Sequence, residues 1–166
     1  MSMIQGMLME LQHEAASTKK MLERVPFDKA DWKPHAKSMT LLRLATHVAE
    51  LPGWIQMTLN TNELDWANFD YKPNIATSTE ELMAIHEANY NKAKVALEAA
   101  TPESIMEMWT MRRGEHVFFS LPKAAVVRDF SMNHLYHHRG QLSLYLRMLD
   151  VPVPGMYGPS ADETML

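Results

Sequence analysis

The strongest constraint on how this chain folds is a long amphipathic repeat toward its C-terminal end. From about Pro122 to Leu149, the positions Val127, Phe130, His134, His138, Gln141 or Leu142, Tyr145 and Leu149 recur at helical spacing and form one apolar stripe. Two of those positions are histidine. His134 and His138 are four residues apart, about 40° on a wheel of 3.6 residues per turn, so their imidazoles can converge on one point. The pair sits on the buried seam, where an imidazole without a partner is costly, so something polar or metallic must satisfy it. Spacing alone leaves two readings open: a hydrogen-bonded core pair, or two ligands of a metal ion that needs a third. His137 lies about 100° from His138, at the edge of the stripe, and reads as a pocket residue more than a ligand.

Three further helices are expected. The first runs from about Met3 to Arg24, with Ile4, Met7, Leu8, Leu11, Ala15, Met21 and Leu22 at helical spacing, and Pro26 stops it. A polar connection carrying Trp32 and His35 leads to helix two, which Ser38 or Thr40 caps. Its stripe is Leu41, Leu44, Val48, Leu51, Ile55 and Leu59, and His47 borders it. Pro52, inside this helix, removes one backbone bond and bends the axis, either aiming His47 or only shaping the packing. The stretch Asn60 to Thr77 mixes Asn, Asp, Pro and aromatics and reads as a long loop of the kind that walls a pocket. Ser78-Thr79-Glu80-Glu81 opens helix three as a capping box, followed by Leu82, Ile85, Ala93, Ala96 and Leu97. Between Met106 and Leu121 the pattern alternates around a turn at Arg113-Gly114, which predicts a short β-hairpin before helix four. The tail, Val151 to Leu166, holds three prolines and two glycines and is expected to be irregular.

The expected fold class is therefore all-α, a four-helix bundle with a short β-hairpin between helices three and four, in one domain over residues 1–166. Six glycines and fifteen methionines suit helices better than a turn-rich sheet architecture. The net charge of −4, with no basic run, gives no footprint for nucleic acid. No apolar stretch approaches a membrane span and no signal-peptide pattern opens the chain, so a cytoplasmic protein is expected. Without cysteine there are no disulfides, thiolate nucleophiles or Cys-based zinc sites, and any thiol chemistry must use a thiol that arrives with a substrate. Bundles build metal sites from inward-facing residues of different helices, which offers the third ligand a place at His47. His13, His35, His86 and His116 lack partners at ligand spacing and read as structural or exposed.

The run His134-Leu135-Tyr136-His137-His138-Arg139-Gly140-Gln141-Leu142 with Tyr145-Leu146-Arg147, and the tail Val151 to Glu163, resemble the DinB/YfiT-like family of metal-dependent enzymes. Lys37-Ser38-Met39-Thr40 and Leu44 to Trp54 are similar to that family's second helix, so the resemblance spans nearly the whole chain. It implies a divalent metal ion (nickel, zinc or iron) held by His47, His134 and His138. It also implies a homodimer packed through helices, and a small-molecule substrate. Members of the family are associated with transfer of a low-molecular-weight thiol to an electrophile. Two other readings stand beside that one: a metal-dependent hydrolase, and a non-catalytic metal- or small-molecule-binding bundle. A hydrolase needs a general base, for which Glu50 and Asp129 are the nearest carboxylates in sequence. Arg139 and Tyr157 either shape the pocket or, for Arg139, pair with a structural carboxylate.

Overall fold

Helix α1 (Met3–Leu22) starts at a capping box that the hydrophobic pattern alone does not reveal. Ser2 Oγ accepts from Gln5 N at 3.2 Å, and Gln5 Oε1 accepts from Ser2 N at 2.8 Å. The structure, a computed structural model, describes residues 1–163. Helix α2 (Leu41–Glu50) is capped by Thr40, whose Oγ1 accepts from Arg43 N at 3.2 Å. Leu51 and Pro52 keep right-handed helical dihedrals, but Pro52 has no N–H to donate, and the chain restarts as α3 (Gly53–Asn60). The expected second helix is thus two helices meeting at Pro52.

Helix α4 (Thr79–Ala99) begins at Ser78, whose Oγ accepts from Glu81 N at 3.2 Å. It packs against α1, α2 and α3. The α3–α4 approach is close at Gly53, where a Cβ would lie 2.3 Å from Asn89 Oδ1. Gly53→Ala is therefore expected to destabilise the fold by about 1–3 kcal/mol, the usual cost of overpacking, as read from urea denaturation. An unchanged midpoint would show that Asn89 yields freely.

The all-α expectation needs one correction. The predicted hairpin is present as β2 (Met108–Arg113) and β3 (His116–Pro122), antiparallel with a bulge between Met111 and Arg112. A third strand, β1 (Glu63–Asp65), joins β2 in parallel from within the expected loop, giving a three-stranded sheet ordered β1-β2-β3. Three residues are too few for alternation to register in sequence. This strand exists through long-range partners: Arg112 pairs with Glu63 at 2.7 Å and with Asp65 at 2.8 Å, and Trp66 N donates to Arg112 O at 2.9 Å.

After β3 the chain is helical without interruption through α5 (Lys123–Val126), a π-helical stretch (Val127–Asn133) and α6 (His134–Met148). One apolar cluster, including Met21, Leu22, Leu41, Leu44, Leu82, Leu135 and Leu142, ties α1, α2, α4 and α6 together. A second joins α1, α3, α4 and the π-helical stretch through Met7, Leu11, Ile55, Leu97 and Val127. Under the sheet lie Leu64, Trp109, Met111 and Val126. The tail is irregular, as expected, yet docked: Arg147 pairs with Asp162 at 2.5 Å, and Asp162 Oδ2 accepts from Val153 N at 2.8 Å. Residues 164–166 of that predicted irregular tail lie outside the described residues. Among the described residues no helix is long and apolar enough to cross a membrane.

Candidate metal centre

Three histidines from two helices meet in the bundle. His47 projects from α2, His134 is the first residue of α6, and His138 follows one turn later. His134 Nε2 lies 3.4 Å from His47 Nε2 and 2.9 Å from His138 Nε2, and one ligand atom from each ring falls within 4.8 Å of the others. Two nitrogens each about 2.0–2.1 Å from one ion, at angles between about 90° and 110°, lie about 2.8–3.4 Å apart. The two closest separations fall in that range.

The far side of the His138 ring fixes which of its nitrogens faces inward. Gln141 Oε1, an oxygen that can only accept, lies 2.7 Å from His138 Nδ1, which therefore carries the proton and leaves the Nε2 lone pair free. The His138 Nε2 lone pair then meets His134 Nε2 at 2.9 Å, a contact that either a His134 N–H or a shared cation satisfies. Burial pushes His47 down to about 3, with His138, His134 and Arg43 adding to the effect. Burial likewise lowers His134 and His138. Neutral imidazoles are the form that binds metal, so the donor set fits a divalent ion. His47 and His138 are each only 9% exposed, and His47 Nδ1 is buried without a partner among the described residues.

The other sequence candidates fall elsewhere. His137 is exposed, its ring edge-on to His138 at 4.9 Å. Asp129 is exposed and, among the described residues, hydrogen-bonds only the Asn133 amide, at 3.4 Å. Glu50 is buried, but its oxygens accept from Asn74 N at 2.7 Å and from Asn74 Nδ2 and Tyr71 Oη at 2.8 Å. It anchors the 60–77 loop. Arg139 pairs with Glu14 at 2.5 Å and also binds Tyr157 Oη, which makes it the structural ion pair expected of it. His13, His35 and His116 are exposed.

Sequence reading missed the surroundings of the group. The Phe130 ring lies 5.9 Å from His134, and Trp54 stands edge-on to Phe130 at 5.1 Å. Trp66, Phe69 and Tyr71 from the long loop pack around Trp54, so that loop does form a wall. Arg43 was also passed over, although its position four residues before His47 was a readable signal.

His86, on α4, is 4% exposed, and its Nε2 donates to Ala15 O at 3.1 Å. Burial lowers it more than that bond and Glu87 raise it, with Lys19 acting in the same direction as burial. In the unfolded chain a histidine titrates near 6.5, so below that pH the unfolded state binds more protons. Stability contributed by neutral His86 is thus complete above pH 6.5 and is lost as pH falls toward the lowered folded value. Urea midpoints measured at neutral and mildly acid pH are expected to drop more in the native protein than in His86→Leu. Equal drops would remove His86 as the source.

A helical bundle closing around three convergent imidazoles defines a protein with a group able to hold a metal ion. The chain belongs to the DinB family, whose profile matches residues 1–165. It is 26% identical over 152 residues to the uncharacterized protein YrdA of Bacillus subtilis strain 168, covering 92% of this chain and 86% of that one. In fold it is similar to a DinB-like protein of Bacillus cereus ATCC 10987, with a TM-score of 0.71, 21% identity, and 92% and 97% of the two chains covered. The DinB-like protein YjoA of Bacillus subtilis gives a TM-score of 0.70 at 16% identity, over 95% and 98% of the chains.

Proposed function

We propose that this protein is a metal-dependent enzyme, with His47, His134 and His138 holding one divalent ion (nickel, zinc or iron), that transfers a low-molecular-weight thiol to an electrophilic small molecule. The supporting observation is the pairing of three inward imidazoles with the lack of any free carboxylate beside them among the described residues. Glu50 is fully occupied, which disfavours a hydrolase that needs a carboxylate base. A bound divalent ion supplies Lewis acidity, so that a thiol loses its proton near neutral pH. In the transfer, sulfur forms a bond to the electrophilic carbon, the leaving group departs with its electron pair, and the thiol proton goes to solvent. The histidines remain neutral ligands, Gln141 orients His138, and Phe130 and Trp54 limit water on one side.

Calorimetry of cysteine and related small thiols against metal-loaded and chelator-treated protein tests this reading. Metal-dependent binding that releases about one proton is expected. Turnover of simple esters or amides with no thiol binding would replace transfer by hydrolysis.

We also propose a cytoplasmic homodimer. Its packing is through helices, and Leu144 and Met148, one turn apart on α6, are exposed apolar residues that a second copy can cover. Light scattering should then give twice the 19.0 kDa chain mass, and a monomer at tens of micromolar would end that assignment.

A further inference from the structure

One arginine near the histidine group keeps most of its donors unspent. Arg43 lies one turn before His47 on α2, so the two side chains leave the same face of the helix. Its guanidinium is held from behind, with Nη2 donating to Tyr71 Oη at 3.0 Å and Nη1 lying 3.4 Å from Glu50 Oε2. Glu50 already has three shorter hydrogen bonds. Arg43 makes no other hydrogen bond among the described residues, which leaves three of the five guanidinium N–H groups unspent on a side chain that is 31% exposed. Arg139 shows what a purely structural arginine does in this chain. It is 2% exposed and bonds the Glu14 carboxylate and carbonyl, Thr18 Oγ1 and Tyr157 Oη.

From Tyr71 a chain of ring contacts leads back to the histidines. Trp54 lies 6.3 Å from Tyr71, Phe130 lies 5.1 Å from Trp54, and His134 lies 5.9 Å from Phe130. Arg43, Tyr71, Trp54, Phe130, His134 and His47 are thereby successive neighbours in one arc of side chains beside the histidine group. One side of it presents a planar cation suited to two parallel bonds to a carboxylate. The other holds Trp54 and Phe130, half-buried aromatic side chains whose remaining surface suits a flat apolar body.

We propose that this arc of side chains selects a small molecule with a carboxylate on a flat apolar body, the carboxylate paired with Arg43 and the body set against Trp54 and Phe130. Arg43 is then the specificity residue of the site. The inference rests on the metal-dependent reading for the chemistry at the reacting end, but the selection of charge belongs to Arg43.

Phenylacetate and its neutral counterpart phenylacetamide separate these roles. Binding of each to the metal-loaded full chain is measured by calorimetry, and metal content is determined on every sample. The native protein is expected to prefer phenylacetate roughly tenfold or more, the scale of a charge-assisted pair. In Arg43→Gln the preference falls to about one with metal content unchanged, and Arg43→Lys restores part of it. Arg43→Gln combined with Glu50→Gln removes the buried carboxylate together with its cation, and serves where the single variant does not fold. A preference that survives in Arg43→Gln, equal binding of the two probes, or binding of neither by the native protein overturns the inference. Failure of the metal-dependent reading shows separately, as metal below stoichiometry in the native protein.

Discussion

His134→Ala is expected to release the bound metal, lowering affinity by well over the roughly 10–100-fold that loss of a hydrogen-bond partner behind a ligand causes. His134 is the hub of the group, with its Nε2 at 3.4 Å from one partner and 2.9 Å from the other. Its removal leaves only His47 and His138, with rings 4.7 Å apart, as two ligands where a stable site needs at least three. Gln141→Ala, which only frees the far side of His138, should fall within the 10–100-fold range, and His137→Ala should change nothing. Elemental analysis after dialysis, with competition against a chelator of known affinity, orders the three variants. Full metal content in His134→Ala would end the assignment of these ligands.

The second large effect concerns stability. Arg139 and Glu14 form an ion pair with exposures of 2% and 5%, and the pair joins α1 to α6. Glu14→Ala leaves a guanidinium buried with only neutral acceptors, the Glu14 carbonyl, Thr18 Oγ1 and Tyr157 Oη. Breaking a buried pair from one side costs about 3–5 kcal/mol. For a chain of this size that lowers Tm by roughly 10 °C, at about 2–4 °C per kcal/mol. Replacing both partners by apolar residues of similar volume should recover most of the loss. Thermal and urea unfolding of the single and double variants test this, and a single variant within about 1 kcal/mol of the native protein would show that the pair is hydrated.

The helices and the three histidines were legible in the sequence because each rests on a local rule. Periodicity marked the helices, and the i,i+4 interval placed His134 and His138 on one turn. Both histidines lie within regular α6, so the wheel argument applied to them. The third member came from the bundle architecture and from the family resemblance. What stayed hidden depends on distant partners. Strand β1 is three residues held by Arg112, the work of Glu50 is set by a loop more than twenty residues away, and the Trp54–Phe130 contact joins elements that no local pattern connects. The π-helical stretch was missed for another reason: its backbone bonding changes while its sequence keeps helical spacing.

That stretch separates two directions that one regular helix would merge. Val127 and His134, seven residues apart, would share a face on an unbroken α-helix. Here Val127 packs with Met7 and Ile55, while His134 turns to His47. The wider turns of residues 127–133 act as a swivel within a single run of chain. A change in length confined to this segment would reset the angle between packing face and ligand face while leaving the residues of both intact.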